Sequence, residues 1–121
     1  MYLLYTFYKM LGFILKLILT GIAAVFVSRV IPGITVASIT DGILLALVLA
    51  LLNAIVRPIL VFLTIPITIL TLGLFLLVIN IIIIYLADAI LDGFDVHGII
   101  AALIFSLIMS VVTAIIDLVT K

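Results

Sequence analysis

The sequence predicts an all-α polytopic membrane protein in which four transmembrane helices form two tandem helical hairpins. Three observations predict this fold: the composition, the positions of the turn signals and an internal similarity between two loops. Of the 121 residues, 70% are hydrophobic and only 8% are charged, whereas about a quarter of the residues of a soluble domain are charged. This composition excludes a soluble enzyme, which needs far more polar surface. It also excludes a disordered chain, which has low hydrophobicity.

The predicted helices follow from the turn signals. A helix needs about 20 apolar residues to cross a bilayer core of about 30 Å. Pro32-Gly33, Asp41-Gly42 and Asp92-Gly93 interrupt the apolar sequence with strong turn signals, and Pro66 and Gly73 mark a weaker break. The chain 1–121 is therefore expected to form a single transmembrane domain with spans at about 11–31, 43–62, 72–91 and 99–116.

The segment 58–71 has two interpretations. In the first, the second span is a continuous helix through Pro58. In the second, the helix stops at Arg57, because the residue before a proline disfavours helical geometry. Segment 58–71 is then re-entrant or interfacial, and its threonines meet backbone groups freed by the prolines. These threonines are Thr64, Thr68 and Thr71.

The distribution of charge predicts the orientation. If both termini are cytoplasmic, four of the five cations (Lys9, Lys16, Arg57 and Lys121) lie near the inner face and only Arg29 lies near the outer one. This asymmetry is what the positive-inside rule requires. Both termini are therefore expected on the cytoplasmic side, with lipid as a partner. Aromatic residues before the first span favour an interfacial belt over a cleaved signal peptide; they are Tyr2, Tyr5, Phe7 and Tyr8.

The two loops predicted on the outer side resemble each other. The segment from Pro32 to Val36 matches Asp92 to Val96, sixty residues later, and Thr20 and Ser28 align with Asn80 and Asp88. Gly42 aligns with Gly98 if the second loop has lost four residues. Because each unit has an even number of spans, the two copies are expected to point the same way across the membrane.

Small and polar residues form one face on each of two spans. In the fourth span this face is formed by Ala102, Ser106, Ser110, Thr113 and Asp117, and in the second span by Ala46, Ala50, Asn53 and Arg57. One interpretation is that the two faces pack together, with Ala46, Ala50 and Ala102 as packing positions. The other is that they line a polar path through an oligomer. Asn80 and Asp88 in the third span complete the candidate functional polar residues.

Arg57 is the most informative of these residues. A central arginine costs about 2.5–3.5 kcal/mol to insert, so its side chain is expected either to snorkel to the headgroups or to make a forked contact. That contact would hold carbonyl groups or a lipid phosphate. The sequence further predicts that Asn53 acts with Arg57 by meeting backbone groups that Pro58 frees.

The chain shows no catalytic or cofactor motif. It contains no cysteine and one histidine, and its net charge is zero, which disfavours thiol chemistry, thiolate zinc sites and nucleic acid as a partner. Asp92, Asp95 and His97 form an acidic loop whose spacing is typical of a solvated loop more than of a cation site. We expect neither an enzyme nor a cofactor.

Several motifs together resemble a known family. They are Asn53-Ala54-Ile55-Val56-Arg57-Pro58-Ile59-Leu60, Leu70-Thr71-Leu72-Gly73-Leu74-Phe75, Val78-Ile79-Asn80 and Asp92-Gly93-Phe94. With four spans, the chain resembles the four-helix bacterial membrane proteins of phage holin family 4, or superfamily IV holins. The resemblance implies an inner-membrane protein without a cofactor, and holins of phages generally oligomerise and open the membrane.

Three functions follow as hypotheses. The first is a holin-like protein that oligomerises and alters membrane permeability or envelope integrity. The second is a small channel or transporter module, which is supported by the repeat and by the prolines near Asn53. The third is a structural or stress-related subunit that binds lipid or a partner protein of the membrane.

Overall fold

The computed structural model describes residues 1–119 and is mostly helical; Lys121, which entered the charge argument, lies outside the described residues. Six α-helices, one π-helical turn and two short strands follow one another along the chain. They are α1 (Tyr2–Val30), β1 (Ile34–Val36), α2 (Ile39–Leu51), the π-turn (Leu52–Val56), α3 (Arg57–Leu63), α4 (Ile65–Leu70), α5 (Phe75–Ile90), β2 (Phe94–Val96) and α6 (Ile99–Val119).

Three helical stretches are long and apolar enough to cross a membrane. They are α1 with 29 residues, the continuous stretch Ile39–Leu63 with 25 and α6 with 21, and the 16-residue α5 is a shorter apolar helix. Helix α1 begins nine residues before the predicted first span, so its exposed aromatic N-terminal part is helical as well. At about 1.5 Å per residue, α1 is about 43 Å long and exceeds a bilayer core.

The second span does not end at Arg57. Helix α2 passes through the π-turn into α3 and ends only at Leu63. Pro58 has no N–H group, and in a regular helix its ring would collide with the carbonyl of Ala54. The π-turn lies directly before the proline, and the N–H of Arg57 bonds the carbonyl of Leu52, five residues back. The widened turn explains how the helix continues through Pro58.

The short helix α4 separates this stretch from α5. The Thr64 hydroxyl donates to the Leu60 carbonyl at 2.7 Å, and the Thr71 hydroxyl donates to Ile67 and accepts from the N–H of Phe75. The Leu60 and Ile67 carbonyls also accept the N–H of the same threonine, so they are not groups that the prolines free, as the prediction required. The Thr68 hydroxyl is buried without a partner among residues 1–119.

Helix α5 begins later than predicted because of a left-handed turn. Leu72 and Gly73 both have positive φ angles, of 57° and 89°, so a helix cannot run from 72 as the span 72–91 requires. Two hydrogen bonds close α4 in a Schellman arrangement, from Gly73 N–H to Thr68 and from Leu72 N–H to Ile69. Leucine is unusual at this left-handed position, where glycine is the common residue.

The two similar loops pair with each other, which the prediction of an all-α fold did not include. β1 and β2 form an antiparallel ribbon in which Thr35 lies opposite Asp95, Ile34 opposite Val96 and Val36 opposite Phe94. Two further bonds extend the ribbon symmetrically, from Ala37 N–H to Gly93 and from His97 N–H to Gly33. We call the end of the molecule that carries this ribbon the strand end.

The sixty-residue correspondence continues beyond the strands. Helices α2 and α6 begin at Ile39 and Ile99, exactly sixty residues apart. The expected four-residue loss, which aligned Gly42 with Gly98, is therefore wrong. The glycines misled the alignment because they have different roles: Gly42 is buried inside α2, and Gly98 precedes α6 with a φ of 114°.

Helices α1 and α2 approach each other closely at Gly21 and Gly42. A Cβ atom on Gly21 would lie 2.6 Å from the backbone of Ile43, and one on Gly42 would collide with the carbonyl oxygen of Gly21. By contrast, α2 and α6 make almost no contact with each other; each packs against α1 and α5. The predicted packing of their small-residue faces is therefore wrong, because a cavity separates them.

Candidate functional site: a polar cavity among four helical stretches

A cavity of about 640 Å³ lies between the helices at the end away from the strands. Side chains from α1, α5, α6 and the continuous stretch Ile39–Leu63 line it. They are Phe13, Lys16, Leu17, Thr20, Ala46, Leu49, Ala50, Asn53, Ala54, Arg57, Asn80, Ile83, Ile84, Ser106, Met109, Ser110, Thr113, Ala114 and Asp117. The faces of α2 and α6 that the sequence singled out therefore face this cavity.

The cavity lining repeats with the sixty-residue spacing. Each of the six lining residues between Ala46 and Arg57 has a counterpart in the lining sixty positions later, from Ser106 to Asp117. Thr20 and Asn80 are a further pair of this kind. The cavity therefore lies centrally between the two corresponding parts of the chain, and Arg57 corresponds to a residue of opposite charge, Asp117.

Arg57 bonds across the cavity to α5. Its Nη1 atom donates a hydrogen bond of 2.5 Å to Oδ1 of Asn80. The guanidinium is thus held by a side chain of a neighbouring helix. This bond favours the alternative of a specific contact over snorkelling to the headgroups.

Asn53 does not act as expected. Its side chain is exposed to the cavity and makes no hydrogen bond within residues 1–119, so it does not meet backbone groups freed by Pro58. The π-turn has already accommodated the proline. The partner of Arg57 is Asn80, on another helix, and not its neighbour Asn53.

An ion pair joins α1 to α6 at the same end of the cavity. Nζ of Lys16 lies 2.5 Å from Oδ1 of Asp117. The two side chains are 34% and 52% exposed, so the pair is accessible from the cavity mouth and stabilises the fold by no more than about 1 kcal/mol. Lys16 thereby neutralises Asp117 within the cavity.

One buried hydroxyl group of the cavity lining has no partner within the described chain. Oγ1 of Thr20 is buried, with the residue only 8% exposed, and it makes no hydrogen bond within the described chain. A buried hydroxyl without a partner costs about 1–3 kcal/mol. By contrast, the hydroxyls of Ser106 and Ser110 bond carbonyls of their own helix, at 2.8 and 2.9 Å, and do not bridge two helices.

The predicted polar residues divide into two groups. The cavity brings together Asn53, Arg57, Asn80, Ser106, Ser110, Thr113 and Asp117, along with Ala46 and Ala50. Ala102 is fully buried in the core and does not line the cavity. Asp88 lies at the strand end, where its carboxylate accepts a hydrogen bond of 2.9 Å from the N–H of Val96. That contact fixes β2 on α5 and is structural.

The acidic loop shows no metal-binding arrangement. Asp92, Asp95 and His97 are all exposed, and residues 1–119 contain no group of three or more metal-ligating side chains. The N–H of His97 belongs to the strand ribbon. Nearby, Ser38 caps α2 by accepting from the N–H of Asp41 at 3.2 Å and donating to its carboxylate at 2.9 Å.

The sequence did not predict three features of the structure: two residues of the cavity and one contact between helices. The sequence predicts only an orienting charge for Lys16, although its spacing from Thr20 places both on one face of α1. For Thr20 it indicates only a correspondence with Asn80, which is the one signal for its place in the cavity. The Gly21–Gly42 contact had no signal beyond the presence of two glycines within apolar runs.

The fold and cavity define a small helical membrane protein with polar side chains between its apolar helices. The chain belongs to the family described as mycobacterial 4 TMS phage holin, superfamily IV, whose family model matches residues 11–115. This membership confirms the resemblance seen in the motifs and indicates four transmembrane segments. The shorter helix α5 is then the additional segment beside the three long helical stretches.

Two relatives extend the comparison. The chain is 33% identical over 103 residues to the "Uncharacterized membrane protein YvlD" of Bacillus subtilis, covering 84% of this chain and 87% of the relative. It is 43% identical over 75 residues to the "Uncharacterized protein SCO3922" of Streptomyces coelicolor, covering 59% and 60%. No solved structure matches the chain.

Proposed function

We propose that the protein alters the permeability of the bacterial inner membrane by assembling into an oligomer in which the polar cavity contributes to a path for water and small solutes. The observation that carries this proposal is the cavity of about 640 Å³, with polar side chains, between membrane-spanning helices. Polar side chains are costly in lipid, so their collection in one cavity favours a functional role.

The closed strand end supports the need for assembly. Phe94, Phe105 and Leu45 are fully buried there, and the rings of Phe94 and Phe105 lie 5.6 Å apart. A single copy therefore holds a cavity that is blind at this end. Permeability then requires either several copies around a shared path or an opening of the strand end, and a second copy of this chain is the expected partner.

The proposed arrangement in the membrane is two tandem hairpins, α1 with α2 and α5 with α6. The paired strands and the sixty-residue correspondence of the lining support it. Both termini are cytoplasmic in this proposal, and the strand end faces outward. An Ala37→Cys variant should react with an impermeant thiol reagent on intact cells, and Thr6→Cys only after lysis; the reverse pattern would contradict the orientation.

The permeability proposal is tested by filling the cavity. Ala54 and its counterpart Ala114 are small, exposed to the cavity and remote from the tight glycine contact. Ala54→Leu and Ala114→Leu should lower dye leakage from vesicles that contain the purified protein. Ile55→Leu and Ile115→Leu, at the exposed neighbouring positions, should leave leakage unchanged. Wild-type vesicles no leakier than protein-free vesicles would contradict the proposal.

A channel or transporter module is the second candidate. The observation that favours it is the π-turn, which contains Asn53 and directly precedes Arg57, since π-turns and broken membrane helices occur frequently at substrate sites. Uptake that saturates with solute concentration would favour this candidate, whereas leakage without saturation and without selectivity would favour the first.

A further inference from the structure

Arg57 carries a charge that nothing in the described chain neutralises. Its corresponding residue Asp117 is paired with Lys16 of α1. The position that corresponds to Lys16, sixty residues later, is Leu76 in α5, which provides no charge. Within residues 1–119, Arg57 forms a hydrogen bond to the neutral Asn80 and no ion pair.

An unneutralised guanidinium between membrane helices calls for an anion. The insertion of a central arginine costs about 2.5–3.5 kcal/mol, and arginines in spans usually pair with another group. Arg57 is half-buried in this cavity, and a partly desolvated guanidinium without a counter-charge is a costly arrangement. The cavity therefore holds a positive charge for which the described residues provide no counter-ion.

The cavity also contains an excess of hydrogen-bond donors. A guanidinium has five N–H donors, and Arg57 uses one of them on Asn80. The amide of Asn53 is exposed to the cavity without a partner, and the Thr20 hydroxyl is more than nine-tenths buried without one. Because Oδ1 of Asn80 faces the arginine, its amide nitrogen remains a further donor.

We propose that the cavity binds the phosphate group of an anionic ligand, with the guanidinium of Arg57 as its principal contact. A phosphate offers several acceptor oxygens and a negative charge, and the planar fork of arginine matches two of those oxygens. Asn53 and Thr20 supply additional donors. Ala46, Ala50 and Ala54 leave room beside them.

The source of the phosphate is either a lipid headgroup or a soluble phosphate compound. The inference rests on the proposed function in that it uses the same cavity. Binding is measured without any measurement of leakage, so either proposal can fail while the other stands.

The test uses the full-length protein in a neutral maltoside detergent, free of added phospholipid. Binding of two probes is measured by native mass spectrometry and by titration calorimetry: short-chain phosphatidylglycerol and inorganic phosphate. Short-chain phosphatidylcholine, whose headgroup has no net charge, is the comparison lipid. Binding of phosphatidylglycerol that phosphate does not displace identifies a lipid headgroup site, and displacement by phosphate identifies a site for soluble phosphate.

Three variants make the proposal falsifiable. Arg57→Gln should weaken binding of the better probe by at least about tenfold, the lower range for a hydrogen bond to a charged group. Arg57→Lys should retain only part of the affinity, since lysine has the charge without the fork. Thr20→Val, which preserves the shape of the side chain and its burial, should weaken binding by a smaller factor.

The matched control is Arg29→Gln, because Arg29 is an exposed cation at the other end of α1 and does not line the cavity. This variant should bind like the wild type. Thermal unfolding of each variant shows whether it is folded, and Thr20→Val provides the test if Arg57→Gln is not. The proposal would be overturned if the wild type bound neither probe. It would also be overturned if the folded Arg57 and Thr20 variants bound the probe as tightly as the wild type.

Discussion

The strand end and the cavity end of this protein use the sixty-residue correspondence in opposite ways. At the strand end, corresponding residues make the same contact: Ala37 bonds Gly93 as His97 bonds Gly33. At the cavity end, three pairs of corresponding residues differ in chemistry. Arg57 corresponds to Asp117, Lys16 to Leu76 and Thr20 to Asn80.

The difference separates stability from function. Matching contacts at the strand end bury Phe94 and Phe105 and satisfy the backbone groups of both loops. At the cavity end, a hydroxyl without a partner and an unneutralised arginine cost free energy. Groups that destabilise the fold are expected where the protein binds or conducts, because a ligand can satisfy them. Substitutions at the two ends should therefore have different consequences.

The largest loss of stability is expected at the strand end. Phe94→Ala removes a fully buried ring that packs on Phe105 and should lower the free energy of unfolding by about 3–5 kcal/mol. Denaturant unfolding in detergent, followed by circular dichroism, measures the change. Asp95→Ala in the same strand has an exposed side chain and should change stability little. Equal effects of the two variants would show that the strand end is not the packed core.

The next effect is expected where α1 and α2 approach each other closely at Gly21 and Gly42. Gly42→Ala places a Cβ atom against the Gly21 carbonyl and 2.8 Å from the Val25 side chain, and it should cost about 3 kcal/mol. The matched control is Gly12→Ala in α1, where a Cβ atom meets nothing within 4 Å. That control should be neutral or stabilise by up to about 1 kcal/mol. A neutral Gly42→Ala would contradict the close approach of α1 and α2.

A moderate effect is expected at Asp88. Asp88→Ala removes the acceptor for the N–H of Val96 and should cost about 2 kcal/mol, the usual range for a hydrogen bond to a charged group. Asp92→Ala is the control, since Asp92 is exposed. Both are compared by thermal unfolding. If Asp88→Ala reduced leakage without reducing stability, Asp88 would belong to the functional residues and the division between the ends would fail.

The smallest effect on stability is expected at the cavity. Lys16→Met breaks the partly exposed pair with Asp117 and should cost at most about 1 kcal/mol. It should nevertheless weaken binding of the anionic probe, because Asp117 then stays negative without its partner and repels the ligand. A double Lys16→Met, Asp117→Leu variant should restore binding. A loss of stability as large as that of Phe94→Ala would contradict the comparison.

Composition and local sequence signals predicted the helices. They did not predict which residues distant in sequence contact each other. Pro32-Gly33 and Asp92-Gly93 marked the loops correctly, but nothing local showed that the two loops pair as strands, since that contact joins residues sixty positions apart. The face of Asn53 and Arg57 was visible from helical spacing. Its partner was not, because the contact of Arg57 with Asn80 depends on how α3 and α5 are placed. The helix through Pro58 needed a π-turn, which has no reliable sequence signal.

The most direct test of the central claim, a polar cavity inside the membrane, uses the absence of cysteine from the chain. Single cysteines replace Ala54 and Ser110, which line the cavity, and Ile55 and Val111, which are exposed away from it. With the protein in vesicles, the rate of reaction with a charged, water-soluble thiol reagent is measured for all four. Fast reaction is expected at 54 and 110 and slow reaction at 55 and 111. Equal rates at neighbouring positions would contradict it.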